Sequence, residues 1–157
     1  MQKYFDMNGN SCIFCSIARG NLKSELIYED SEYLAFMDKY PITFGHTLVV
    51  PRAHYESIHA MDDGEVGKLY SVVSAISKCV IKAVNADGFN IGQNNGRSAN
   101  QIIPHVHVHI IPRFKHDTKN GKWPSRSRAN DNDLSKIASK IRSAFPTSLY
   151  KKSPTSD

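Results

Sequence analysis

Apolar and polar positions along the chain fall into two periods. Between residues 104 and 112 the period is two: His105, His107 and His109 alternate with Val106, Val108 and Ile110. A β-strand here puts three imidazoles on one face and three β-branched side chains on the other. The apolar face belongs in a core, and the imidazoles would line a surface or cleft. At about 3.3 Å rise per residue, neighbouring histidines stand about 6.6 Å apart and the outer pair about 13 Å. One reacting atom cannot touch all three, and the central His107 is best placed to attack.

Other segments fill in around this strand. Residues 25–28 and 33–38 read as a hairpin about Glu29, Asp30, Ser31 and Glu32. A strand over 46–50 follows Gly45 and closes at Pro51, and another spans 89–93. Leu69, Val72, Val73, Ile76, Val80 and Val84 recur at helical spacing on a helix capped by Asp62 or Asp63 and running to about 84. Cys79 beside that stripe reads as a packed residue. Ser11 can cap a short helix over 12–19, which Gly20 would stop. Leu134, Ile137, Ala138, Ile141 and Phe145 mark a last amphipathic helix, capped near Asn130 or Asp131 and ended by Pro146. There is no internal repeat and no sign of a second domain.

With 157 residues the chain is one domain by length, large enough to bury its own core. No apolar run approaches a membrane span, and the polar N-terminus has no secretory h-region. Three cysteines make an odd set, which argues against a disulfide framework. A soluble, cytoplasmic protein is the expectation. The net charge of +5 is uneven: 9 basic and 11 acidic residues through Pro112, then 11 and 3 from Arg113 to Lys152. The excess therefore belongs to the C-terminal segment. Such a segment invites polyanions, but no aromatic stacking platform accompanies it, so a nucleic-acid partner is not expected.

Three features carry candidate chemistry. Histidine titrates near working pH, so a neutral imidazole on the 105–109 strand can serve as a nucleophile. Cys12-Ile13-Phe14-Cys15 is open among redox, metal and packing roles. No strand precedes it, which removes the thioredoxin context, and a zinc ion would need two more ligands, for which His54 and His105 are the candidates. The small polar loop over 94–100, placed immediately before the histidines, can cradle phosphate with its backbone N–H groups. His59 and His116 read as surface residues.

The run His-φ-His-φ-His-φ-φ, with φ apolar, matches residues 105–111 without a substitution and resembles the signature of the histidine triad (HIT) family of nucleotide hydrolases and transferases. Cys12-Ile13-Phe14-Cys15, Phe36-Met37-Asp38, the segment from Gly45 to Pro51 and Ile110 to Arg113 also look like family segments, in the order and spacing of the Hint-like branch. The similarity covers roughly residues 12–114. It implies an α+β fold, an antiparallel sheet flanked by helices and continued across a two-fold homodimer. It divides the chain into a HIT domain over 11–114, a basic segment and helix over 115–145 packing on that domain, and a disordered tail over 146–157.

By the same resemblance His107 attacks the α-phosphorus of a nucleoside phosphoramidate or phosphoanhydride, forming a nucleotidyl-histidine that water hydrolyses to the monophosphate. His109 matches a residue on the leaving-group side, His105 the first of the triad, and His46 a fourth, supporting histidine. Asn94 and Gln101 fall on positions near the phosphates. Asp38 matches the carboxylate that accepts from ribose hydroxyls, and Ile13, Phe14, Ile17 and Phe36 match apolar residues around the base. Microbial members with Cys-x-x-Cys hold a structural zinc, which here implies Cys12, Cys15, His54 and His105. The chain departs from the pattern at Ile102, where serine is common and which cannot donate a hydrogen bond, and at Asn100, where glycine is common.

The leading reading is a purine nucleoside phosphoramidase that releases adenylate. A dinucleoside polyphosphate hydrolase has the same triad, although the spacing of the front half favours the first. A nucleotide-binding sensor with little catalysis is a reading from another class. An enzyme acting on adenylated DNA ends ranks last, because no zinc-finger extension is present.

Overall fold

The computed structural model describes residues 12–115, 117–118 and 125–147. The expected Ser11 cap, His116 and the tail beyond 147 lie outside that range. The elements in chain order are α1 (Ile13–Ala18), β1 (Leu26–Glu29), β2 (Tyr33–Met37), β3 (Thr47–Pro51), α2 (Asp63–Val84), β4 (Gly88–Gly92), β5 (Val108–Arg113) and α3 (Asp131–Ser143). Single 3-10 turns stand at Ile58–Ala60 and Arg97–Ala99. No helix among the described residues is long and apolar enough to cross a membrane.

The strands form one antiparallel sheet in the order β1-β2-β3-β5-β4, flanked by helices as expected for an α+β fold. The β1–β2 turn is set by Asp30, whose carboxylate oxygen accepts from the N–H groups of Glu32 at 2.8 Å and Tyr33 at 2.7 Å. On one face Ile27, Ala35, Val49, Val108 and Ile110 pack with Leu69, Val73, Ile76 and Val80 of α2 and with Leu134, Ile137 and Ile141 of α3. On the other, Leu34, Phe36, Leu48 and Val50 pack with Cys12, Phe14, Cys15 and Ile17 at and within α1. Every residue of β2 and β3 is therefore buried. That explains their continuous apolar sequence, since a strand covered on both faces loses alternation.

Caps match their sequence. The Glu65 side chain accepts from the Asp62 N–H at 3.1 Å at the start of α2, and the Asn130 side chain accepts from the Asn132 N–H at 2.9 Å at the start of α3. The last helix stops at Ser143 rather than continuing to Phe145. Phe145 instead stacks on Tyr28, ring centres 6.0 Å apart.

One expectation needs correcting. The histidine strand begins only at Val108, so His105 and His107 precede β5 and lie in irregular backbone. The alternation of faces survives even so. Val106 joins Val108 and Ile110 in the core beneath α2. His109 is paired with Leu48, so it shares the opposite face. Of the surface or cleft expected for the imidazoles, the enclosed setting holds for two: His105 is fully buried and His107 is 7% exposed.

Candidate active site and metal site

The site assembles where α1, the ends of β2 and β3, and the segment 105–109 converge. His107 Nδ1 lies 2.7 Å from the carbonyl oxygen of His105. A carbonyl can only accept, so Nδ1 carries the proton and Nε2 keeps its lone pair. Burial lowers the His107 pKa against the opposing pull of the His105 carbonyl and Asp38. The imidazole is therefore neutral at pH 7, with its unprotonated nitrogen available. Phe14 packs edge-on against it at 5.2 Å between ring centres, and Phe36 against Phe14 at 5.4 Å.

A second chain of hydrogen bonds fixes His109. The N–H of Ile42 donates to His46 Nδ1 at 3.0 Å. With that nitrogen accepting, neutral His46 bears its proton on Nε2, which stands 2.9 Å from His109 Nδ1. His109 must then accept at Nδ1 and present an Nε2–H. Burial drives the His46 pKa down to about 3 and that of His109 to about 4, with neighbouring imidazoles and Arg126 acting in the same direction. The His107 and His109 rings lie 5.0 Å apart, so a lone pair and an N–H donor sit side by side. Such an arrangement can attack an electrophilic centre while hydrogen-bonding the oxygens around it.

Gly45 sets up His46. Its φ is +86°, and a Cβ there would meet Val84 Cγ1 at 2.8 Å, so only glycine lets the chain turn closely under α2 and enter β3. Asp38, just after β2, is 6% exposed. Its carboxylate accepts from the Tyr40 N–H at 2.8 Å and from Arg126 Nη2 at 2.6 Å. Burial raises its pKa, and the Tyr40 N–H and the Arg126 guanidinium pull it back.

The four sulfur and nitrogen ligand atoms of Cys12, Cys15, His54 and His105 lie within 4.8 Å of one another. His105 Nδ1 is 3.4 Å from Cys12 Sγ and 3.5 Å from Cys15 Sγ, Cys15 Sγ is 3.3 Å from His54 Nδ1, and the two Nδ1 atoms are 3.2 Å apart. A tetrahedron with Zn–S near 2.3 Å and Zn–N near 2.0–2.1 Å has edges of about 3.3–3.8 Å. The donor set fits that ion. His105 Nε2 donates to the Pro51 carbonyl at 2.8 Å, which leaves Nδ1 unprotonated and aimed at the cluster, as a metal-binding histidine requires. Arg52 ties α1 to the sheet nearby, donating to the carbonyls of Ala18 at 2.7 Å and Asp30 at 2.6 Å.

Of the residues singled out from sequence, the structure brings His46, His107, His109, Asp38, Phe14 and Phe36 together around one site and the four metal candidates around another. Ile17 is buried beside them and Ile13 half-buried. Asn94 and Gln101 are spent within the loop. The Gln101 amide accepts from Gly96 N–H and donates to the Glu56 carbonyl, both at 2.7 Å. Asn94 donates to the Asn100 carbonyl at 3.3 Å. Asn100 has φ +62°, a left-handed conformation that asparagine tolerates better than most residues, which accounts for its standing where glycine is common. Ile102 is 71% exposed. Three participants escaped the sequence reading: Arg126, the Ile42 N–H and the Pro51 carbonyl.

Comparison with known proteins agrees with this geometry. The HIT domain family model matches residues 19–116. The chain is 39% identical over 116 residues to an adenosine 5'-monophosphoramidase of Schizosaccharomyces pombe, covering 73% of this chain and 84% of that one. It is 38% identical over 133 residues to an adenylylsulfatase of Arabidopsis thaliana, covering 84% and 66%. The crystal structure of a Zn-bound histidine triad family protein from Mycobacterium smegmatis superposes with a TM-score of 0.73 at 33% identity, over 85% of this chain and 92% of that one. The chain belongs to the HIT-domain family.

Proposed function

We propose that this protein hydrolyses nucleoside 5'-phosphoramidates, adenosine 5'-phosphoramidate foremost, through a covalent nucleotidyl-histidine on His107. The observation that carries this reading is the His107 Nδ1 bond to the His105 carbonyl at 2.7 Å, which leaves Nε2 as a neutral nucleophile beside the Nε2–H of His109. Nε2 attacks the α-phosphorus, and the bond to the amine breaks. The positive charge that develops on His107 is met by the His105 carbonyl and the nearby carboxylate of Asp38. Water then cleaves the phosphorus–histidine bond and releases the monophosphate. Splitting one displacement at phosphorus into two is what a nucleophilic side chain contributes. His109 and its support His46 hydrogen-bond the phosphoryl oxygens or the leaving atom.

In this reading Phe14 and Phe36, with Ile13 and Ile17, wall the purine, and Asp38 accepts from the ribose hydroxyls. Asn94 and Gln101 brace the loop that borders the phosphates. Zinc on Cys12, Cys15, His54 and His105 is structural, because two thiolates and two imidazoles close its coordination. When bound, it ties α1 to the segment that carries His107. The exposed edge of β4, with Phe89 46% and Ile91 42% exposed, is where a second copy would continue the sheet.

The test is release of adenylate from adenosine 5'-phosphoramidate and, in parallel, from a diadenosine polyphosphate, by wild type and His107→Ala. The reading expects faster turnover of the phosphoramidate, with a loss of at least about a thousandfold in His107→Ala. Preference for the dinucleotide would move the protein to that substrate class. Binding of adenylate with no turnover of either would make it a sensor.

A further inference from the structure

The segment before α3 lies against the stretch Asp38 to Tyr40 beside the candidate site. The N–H of Ala129 donates to the Lys39 carbonyl at 2.9 Å. Arg126 makes two contacts, from Nε to the Tyr40 carbonyl and from Nη2 to Asp38 Oδ2, each at 2.6 Å. The Asp38 side chain is 8% exposed beneath it, and His46 Nε2 lies 3.6 Å from the same carboxylate oxygen. The other oxygen accepts from the Tyr40 N–H. Arg126 itself is 40% exposed, so it closes the carboxylate off while remaining open to solvent. Its charge is felt further in, where it disfavours protonation of His46, His107 and His109. A cation this close to the triad belongs to the site, although it comes from the basic segment outside the family-matched residues.

We propose that Arg126 is a specificity-determining latch on the sugar position, occupying the carboxylate of Asp38 in competition with the hydroxyls of an incoming nucleoside. This inference rests on the nucleotide reading above. A hydroxyl pair that meets an ionised, unengaged carboxylate gains two charge-assisted hydrogen bonds. Where a guanidinium already fills that role, the same hydroxyls must displace it or share it, and they gain less. Two consequences follow for a substrate. Apparent affinity is lowered by the fraction of molecules in which the latch is closed, and the advantage of a ribose over a sugar without hydroxyls shrinks. The second trio of ligating atoms, on Asp38, His46 and His109, is committed by the same contact, since a guanidinium on Asp38 disfavours a cation there.

The experiment compares wild type, Arg126→Ala and Arg126→Gln for KM and kcat on adenosine 5'-phosphoramidate and its 2',3'-dideoxy counterpart, with adenylate affinity measured by calorimetry. Arg128→Ala is the control, because among the described residues that guanidinium pairs only with Asp131, at 3.1 Å on the surface. The latch predicts that both Arg126 variants lower KM for the ribonucleotide by about three- to tenfold and leave kcat within about twofold. The dideoxy compound should improve by less, so the preference for ribose widens; Arg128→Ala should match wild type. A raised KM or weaker adenylate binding in Arg126→Ala would overturn the latch and make Arg126 a binding residue. Equal adenylate affinity in wild type and both variants would overturn it as well, with the nucleotide reading intact. Should none of them bind adenylate, the nucleotide reading itself fails, and the latch with it.

Discussion

The direction of the hydrogen bond between His46 and His109 is fixed from outside the pair. Because the Ile42 N–H can only donate, His46 Nδ1 must accept, and the His109 tautomer follows. Burial keeps the His46 and His109 imidazoles neutral, which has a consequence for pH. Unfolded, each would bind a proton near pH 6.5. Folded, His109 does so only at about 4 and His46 at about 3. Between those values the unfolded chain holds more protons, so stability rises with pH. Their contribution is complete above about pH 6.5 and is lost as pH falls through the folded values. Thermal melts should show a lower midpoint at pH 5 than at pH 7.5, and kcat/KM should decline on the acid side as His107 protonates. A midpoint unchanged between the two pH values would mean that these imidazoles titrate normally. The candidate side chains were legible because their chemistry lies in the residue type. What orients them was not. The Ile42 N–H and the Pro51 carbonyl are backbone groups that every residue possesses, and Arg126 meets Asp38 across 88 positions of chain.

At the scale of elements, α1 is the least self-sufficient piece. It has six residues and no side-chain cap, too short to be stable alone. Packing of Phe14 and Ile17 holds it from within, Arg52 holds its end, and the Cys12, Cys15, His54 and His105 cluster can hold its start. Replacing Cys12 by Ser should remove the bound metal and lower the melting midpoint. Treating wild type with a strong chelator should lower it by a similar amount, since the ion's binding energy is folding energy. Metal analysis of purified protein, beside melts of both forms, reads this directly. Wild type purified without metal, with a midpoint that neither the chelator nor Cys12→Ser changes, would sink the zinc assignment. Helix boundaries were legible to within a residue or two because caps and apolar stripes are local signals. The start of β5 was not. Alternation continues through His105 and His107, but ladder pairing requires a neighbouring strand, and β3 reaches only from Thr47 to Val49 against it.

On the scale of the whole molecule, the feature still to be satisfied is an edge. The β4 strand borders the sheet on one side with the sequence Gly-Phe-Asn-Ile-Gly and, among the described residues, pairs only with β5. It carries no lysine, proline or inward charge of the kind that keeps edge strands apart, and it exposes Phe89 and Ile91. Sequence showed a strand there without showing that it was an edge, because order within a sheet is a long-range property. A second copy related by a two-fold axis would pair β4 with β4 antiparallel, bury both apolar side chains and extend the sheet to ten strands. We expect a dimer at micromolar concentration by sedimentation equilibrium. Ile91→Glu should shift it towards monomer, because it sets two carboxylates beside one axis and removes apolar burial from each copy. The substitution is at an exposed position within one chain, so the circular dichroism of the fold should persist. A wild type that sediments as a monomer at those concentrations would show that the edge is tolerated as it stands and would overturn the dimer expectation.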